Sequence, residues 1–276
     1  MATIRLQQNR INPLSLPLIL GQELGIFQKN HCSVELQLDD QFVFQGKNAF
    51  LNGEIDAQMG DTTFFFYYLK EGKNAVITST LTRTIQLVGQ KNWQALNELT
   101  VGISRTGLFR FFVDTYLHEE LPPVTYDFIN NTYERIQSLE DKKIQALVAI
   151  EPFVTTVLSL PEQEVIWHSN QLDACFVMWC FDAEFANKYP EDIRSFHRSL
   201  EEAQTYFNQQ SAEEKVALLV KHCHLPEEKA LIFKDFSFEP QQNYAESDFA
   251  LCQDWMFNNQ EIDKKIAPKE GLFQTF

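Results

Sequence analysis

Leu51-Asn52-Gly53-Glu54-Ile55-Asp56-Ala57, followed by Gly60-Asp61-Thr62-Thr63-Phe64, carries the pattern from which the fold can be read. Gly53 turns the chain, and Ile55 and Ala57 open a buried strand. Asp61, Thr62 and Thr63 then offer side-chain oxygens that can cap an aromatic helix running to Lys70. A strand leading into a capped helix is the repeating piece of an α/β sheet.

The same piece recurs on both sides. Upstream, residues 3–8 read as a strand, and Pro13 to Phe27 as a helix ended by Gly25. Val34-Glu35-Leu36-Gln37-Leu38 alternates as a half-buried strand does, and residues 45–52 read as a short helix. Downstream, Val76–Ser79 and Ile85–Gln90 are strands. After a turn at 91–97 the series restarts. Strands fall at 100–104, 124–129, 146–150 and 165–167, with helices at 107–119, 133–142 and 152–158. Cys175 to Phe181 reads as a returning strand, and the chain from Asp182 is mostly helical. The order predicts an α/β protein of two lobes, each a mostly parallel sheet flanked by helices, with a ligand cleft between them. Lobe I is expected at 1–88 plus 178–276 and an inserted lobe II at 92–174, with hinge crossings near 85–91 and 172–181.

Composition narrows the function. A formal charge of −15 and the lack of any basic stripe exclude nucleic acid as a partner. No apolar run is long enough to span a bilayer, so no membrane insertion is expected. The five cysteines have no metal spacing, and Cys175 and Cys180 sit in an apolar segment that suits buried thiols. With no secretory leader pattern at Met1, the expected location is cytoplasmic, or periplasmic if a leader has been removed. Neither GxGxxG, a Walker sequence, HExxH nor GxSxG occurs, so no cofactor, metal or catalytic residue is assigned. His222-Cys223-His224 reads as a solvated helix terminus, and Phe64 to Tyr68 as core on one face, with Phe64 or Tyr68 able to reach the cleft.

Four segments also resemble a known family. They are Asn12-Pro13 through Gly25-Ile26-Phe27; Leu51 to Ala57 with Gly60-Asp61; Asp141-Lys142-Lys143-Ile144-Gln145-Ala146 to Ile150-Glu151; and Cys175-Phe176 through Tyr189-Pro190 to Phe196. Taken in order, they resemble the type II periplasmic-binding-protein-like superfamily. The branch is that of nitrate-, sulfonate- and thiamine-precursor-binding proteins and of fungal thiamine-pyrimidine synthases, with cytosolic yeast members among its relatives. The resemblance implies a small-molecule ligand held between lobes. It departs at the synthases' reactive lysine and histidine, where Gly60 and Phe64 stand. Asn9 occupies the place of a tryptophan that would stack on a pyrimidine. Without the lysine and histidine the synthase chemistry has no reactants.

In open α/β sheets, ligands bind beyond the carboxyl ends of the strands. The first-lobe candidates there are Asn9, Arg10, Asn12, Asp40, Gly60, Asp61, Thr62, Thr82 and Arg83. On the second lobe, Ser104-Arg105-Thr106-Gly107 joins a strand to a helix and offers hydroxyls and free N–H groups, or an ordinary N-cap. Asn130 and Asn131 follow the next strand, where an Asx turn is the alternative, and Glu151 follows the third. The expected function is a small-molecule receptor or carrier closing on a polar, thiamine-precursor-like or related nitrogenous ligand. The alternatives are a divergent enzyme of thiamine-pyrimidine biosynthesis and an exported solute-binding subunit with an ABC transporter as partner.

Overall fold

A computed structural model describes residues 1–39, 48–105, 107–151 and 153–276. The chain divides into two compact units, Met1–Thr82 with Ala174–Phe276, and Arg83–Asp173.

The first unit contains β1 (Thr3–Asn9), β2 (Ser33–Asp39), β3 (Ala57–Asp61) and β4 (Ala75–Thr80), and the second begins with β5 (Gln86–Gln90). The second unit continues with β6 (Leu99–Ile103), β7 (Val124–Phe128), β8 (Ala146–Ala149) and β9 (Gln163–His168). The chain then returns to the first unit through β10 (Val177–Asp182). In the second unit the strand order is β7-β6-β8-β5-β9. There β6 runs parallel to β7 and β8, while β5 runs antiparallel to β8 and β9. In the first unit β1 pairs in parallel with β2, and β10 lies antiparallel between β3 and β4. The two ladders are joined where Asp56 N–H donates to the Arg5 carbonyl at 2.9 Å. The second unit therefore has four co-directional strands and one reversed strand, β5, and in the first unit β10 is reversed against β3 and β4; each reversed strand is the one next to a crossing. The strand expected at the first crossing is a full member of the second unit's sheet.

The helices are α1 (Leu16–Glu23), α2 (Ile26–Lys29), α3 (Thr62–Lys70), α4 (Leu108–Phe112), α5 (Thr132–Glu140) and α6 (Phe153–Leu158). After β10 come α7 (Ala183–Lys188), α8 (Pro190–Asn208), α9 (Ala212–Cys223), α10 (Glu227–Ala230), α11 (Glu246–Asn258) and α12 (Pro268–Gly271). Along β1 burial alternates, with Ile4 and Leu6 inward, as the pleat requires. Helix α8 buries Ile193, Phe196, Leu200, Ala203 and Phe207, the three- and four-residue spacing of one helical face. Phe196 meets Trp179 and Phe181 from β10 edge-on and stacks on Phe27. The other end of α8 joins a second core with Leu16, Leu20, Leu219 and Phe233. Many of the 24 phenylalanines thus fill space between layers.

Three local expectations change. The helix expected over Pro13–Phe27 is a 3-10 turn, α1 and then α2, joined by Gly25 in the left-handed conformation (φ 68°). The glycine starts a new short helix as well as ending one. For the expected helix at 45–52, residues 45–47 lie outside the described residues. Residues 49–53 form turns, with Asn48 Oδ1 accepting from Phe50 N–H at 3.0 Å. The helix at 107–119 is α4 followed by a π-helical stretch, Val113–Leu117, which sets Tyr116 beside Phe111 five residues back.

Candidate functional site

The carboxyl ends of the co-directional strands form one rim on each unit, and the sequence candidates distribute over both. On the first unit, Asn9 ends β1 and its Oδ1 accepts from Ile11 N–H at 2.8 Å. The Arg10 N–H donates to the Asp39 carbonyl, and its guanidinium reaches His224 Nε2 at 3.3 Å. Asn12 caps the 3-10 turn, accepting from Leu14 N–H at 3.0 Å. Asp61 caps α3, accepting from Phe64 N–H at 3.2 Å and from the Thr63 hydroxyl. Thr62 is fully buried and its hydroxyl meets Tyr244 Oη at 2.6 Å. Thr82 is buried as well, its hydroxyl accepting from Glu239 N–H at 3.1 Å. Among the described residues a Cβ on Gly60 would meet only the Phe64 ring, at 3.8 Å, so packing against them does not demand glycine there. Asp40 and Thr106 lie outside the described residues.

Two further expectations on this unit change. Tyr68 is buried and meets Phe50 edge-on, while Phe64 is half-buried. The His222-Cys223-His224 terminus is solvated only at His224, which is exposed. His222 is buried with Nδ1 at 2.9 Å from Glu23 Oε2, and Cys223 is fully buried with its thiol pushed up to about 12 by desolvation. Of the other thiols, Cys32, Cys180 and Cys252 are buried and burial raises the pKa of each, whereas Cys175, expected to be buried, is half-buried with its thiol 3.3 Å from the Leu81 carbonyl oxygen.

On the second unit, Arg83 donates to the Leu172 carbonyl. Ser104 follows β6 half-buried, and Arg105 lies exposed with its guanidinium 4.8 Å above the Phe128 ring. Gly107 has φ 98°, a conformation that L side chains rarely adopt, and leads into α4. The Asn130 carboxamide oxygen accepts from Arg105 N–H at 3.0 Å, tying the loop after β6 to the loop after β7. Asn131 caps α5 through Tyr133 and Glu134 N–H. Glu151 is half-buried and accepts from the Thr155 hydroxyl (3.0 Å) and N–H (3.2 Å). Desolvation raises its pKa, while the two bonds from Thr155 oppose the rise.

Three residues of this rim were not singled out from sequence. Arg135 on α5 is only 2% exposed. It donates to the carbonyls of Ile129 (2.7 Å) and Asn130 (3.2 Å) and to the Thr132 hydroxyl (2.7 Å), and its Nε has no partner among the described residues. No carboxylate pairs with it among those residues, and burial lowers its pKa to about 10. Tyr133, 62% exposed, meets Phe153 edge-on with ring centroids 5.3 Å apart. An arginine inside an amphipathic helix carries no sequence signal of burial. The aromatic pair forms only when α5 and α6 come together. Among the described residues no cluster of three or more potential ligands could hold a metal, and no helix is long and apolar enough to cross a membrane.

No protein-family model and no curated protein sequence matches the chain. Solved structures do. The periplasmic aliphatic sulphonate binding protein of Escherichia coli is 15% identical with a TM-score of 0.81, covering 99% of this chain and 92% of that one. The ligand-binding component of an ABC-type import system from Staphylococcus aureus, solved with zinc bound, is 15% identical (TM-score 0.77, 100% and 97% covered). A Candida albicans gene product described as founding a new family with the generic periplasmic binding protein fold is 14% identical (TM-score 0.67, 96% and 92% covered). At such identities the likeness is one of fold, and it agrees with the reversed strand found next to a crossing in both units. The chain is built on the type II periplasmic-binding-protein-like fold.

Proposed function

We propose that the chain is a small-molecule binding protein, a receptor or carrier, whose ligand presents an anionic edge to the carboxyl-end rim of the second unit. Arg135 is the observation that carries this. A buried guanidinium stays charged at neutral pH, and burying a cation without a counter-charge is costly. Its three bonds go to neutral oxygens. An anion at the adjoining loops would offset that cost, and Arg105, held on Phe128 in the same loop cluster, adds a second positive charge. The exposed Tyr133 ring with Phe153 suits a flat ligand body, and Glu151 can accept from a ring nitrogen or amine. A one-ring nitrogenous compound with a phosphate or sulfonate, such as a phosphorylated thiamine precursor, combines these features.

A thermal-shift panel of aminopyrimidines with and without phosphate, vitamin B6 phosphates, sulfonates, nitrate and polyamines tests the reading. An anionic member at a hundredfold its Kd adds about 2.7 kcal/mol of stability. The shift should vanish in Arg105→Ala. Stabilisation by polyamines alone, or by nothing in the panel, would sink the proposal.

The names of the sulphonate-binding and import-system neighbours favour a second reading, service as the solute-binding subunit of an ABC importer in the periplasm. Fractionation of the native cells separates it from a cytoplasmic receptor, the alternative expected from the sequence. Recovery with cytosolic markers alone excludes the importer.

A further inference from the structure

We propose that the first unit carries a second small-molecule site, for a zwitterion of free amino acid type, at the amino end of its co-directional strands. A depression of about 250 Å³ opens there, at the opposite ends of those strands from the candidate rim. Its walls come from separate elements: Arg5 on β1, Asp56 just before β3, Lys73 just before β4 and Asp182 at the end of the reversed strand β10. Ile55 and Phe185 add apolar surface. Gly53 borders the space with φ 72°, and a Cβ built on it would meet nothing within 4 Å among the described residues.

The charges in these walls are fixed in place. Asp56 accepts from Arg5 three times, from N–H and Nε at 2.9 Å and from Nη2 at 2.6 Å. Asp182 accepts from Lys73 Nζ at 2.7 Å and caps α7 through Phe185 N–H at 2.9 Å. Asp182 N–H donates in turn to the Asp56 carbonyl at 2.9 Å, so the two ion pairs are tied edge to edge. Lys73 is also held over the Phe50 ring, 4.9 Å from its centroid. Charges held this way are preorganised and need not be ordered when a ligand arrives.

The last two charges, Glu184 and Lys188, lie one turn apart on α7 and both line the depression. Both are exposed, and no ion pair engages either among the described residues. The described lining thus carries three cations, Arg5, Lys73 and Lys188, against three carboxylates, Asp56, Asp182 and Glu184. A pure anion would meet the carboxylates, and a pure cation the ammonium and guanidinium groups. A molecule that is neutral overall but has separated charges can set its ammonium on Glu184 and its carboxylate on Lys188. A hollow of this volume falls just below the roughly 300 to 1,000 Å³ of drug-sized ligand pockets, which suits a ligand of only a few heavy atoms.

The test uses the full chain with glycine, β-alanine and 4-aminobutyrate as probes, and acetate and methylammonium as the two halves. Amide resonances of α7 are followed by NMR. At least one amino acid should bind saturably and shift Glu184 and Lys188, with each half about tenfold or more weaker. Glu184→Gln and Lys188→Met should each weaken binding by about tenfold, the loss of one charge-assisted contact. Both positions are exposed, so these variants retain the fold. Arg105→Ala on the other unit should leave the affinity unchanged, which keeps this site separate from the proposed anion rim. The proposal is overturned if no amino acid shifts α7, if a half binds as tightly as the whole, or if both α7 variants bind as the parent does.

Discussion

His197 shows what burial does to a single residue. It is fully buried on α8, with Nδ1–H donating to Gln241 Oε1 at 2.6 Å and Nε2 accepting from the Thr78 hydroxyl at 2.8 Å. Around it stand the rings of Phe181, Phe196 and Phe276, and the Ser79 hydroxyl at 3.3 Å. Desolvation lowers its pKa to about 4. In the unfolded chain the same imidazole titrates near 6.5. Between those values the unfolded chain binds more protons, so stability from this group is present above about pH 6.5 and is lost as pH falls towards 4. The full swing is about 3 kcal/mol. His197→Gln should flatten the fall in urea midpoint between pH 7 and pH 4.5, and parallel curves for parent and variant would refute the assignment. A second residue-scale prediction concerns Gly89. A Cβ there would come within 2.5 Å of the Gln145 carbonyl oxygen and 2.8 Å of Ala146 Cα, both backbone atoms. Gly89→Ala should therefore destabilise by about 1–3 kcal/mol in chemical denaturation, as overpacking does.

At the scale of elements, the alternation of strand and helix was legible because each strand has a period of two and each helix is introduced by capping chemistry. Asp61 is the clearest instance: it was read as a cap before α3 and serves as one. Asp61→Ala should lower stability by about 1 kcal/mol, seen as a shift in denaturation midpoint with unchanged slope. The same chemistry limited the reading of the site. Asn12, Asp61 and Asn131 sit where ligands bind in such folds, yet their oxygens are engaged by backbone N–H groups. A polar residue after a strand looks alike in sequence whether it caps a helix or meets a ligand. Thr62 and Thr82 were legible as polar but not as buried, because their partners, Tyr244 and Glu239, lie more than 150 residues further on. Arg135 was invisible for the same reason: its burial depends on the loop after β7 folding back over it.

For the molecule as a whole, the two units repeat one three-strand piece, β3-β10-β4 and β8-β5-β9, in which the reversed strand is bracketed by co-directional ones. That repeat depends on pairing between strands far apart in sequence, so the order of elements predicted the class but not which strand reverses. In the first unit, β4 pairs with β10 on one side, and its other side is not left open. Leu272 forms a parallel bridge with Ile77, Phe273 N–H donates to the Ile77 carbonyl at 2.9 Å, and the Thr275 hydroxyl donates to the Thr78 carbonyl at 2.6 Å. Asn243 holds the same tail, its Oδ1 accepting from Thr275 and Phe276 N–H. Ending the chain at Gly271 removes these bonds, and Phe273 leaves the core it packs against. At about 1 kcal/mol net for each bond, the loss is about 3–5 kcal/mol. For a unit of this size that lowers Tm by roughly 6–20 °C. The truncation also takes the Phe276 ring away from His197, so water gains access and its pKa should rise from about 4 towards the ordinary value. Calorimetry reads the first effect and an imidazole NMR titration the second. A lower Tm with an unmoved His197 would mean that the tail braces β4 without sealing the core. An unchanged Tm would mean that β10 alone holds the strand.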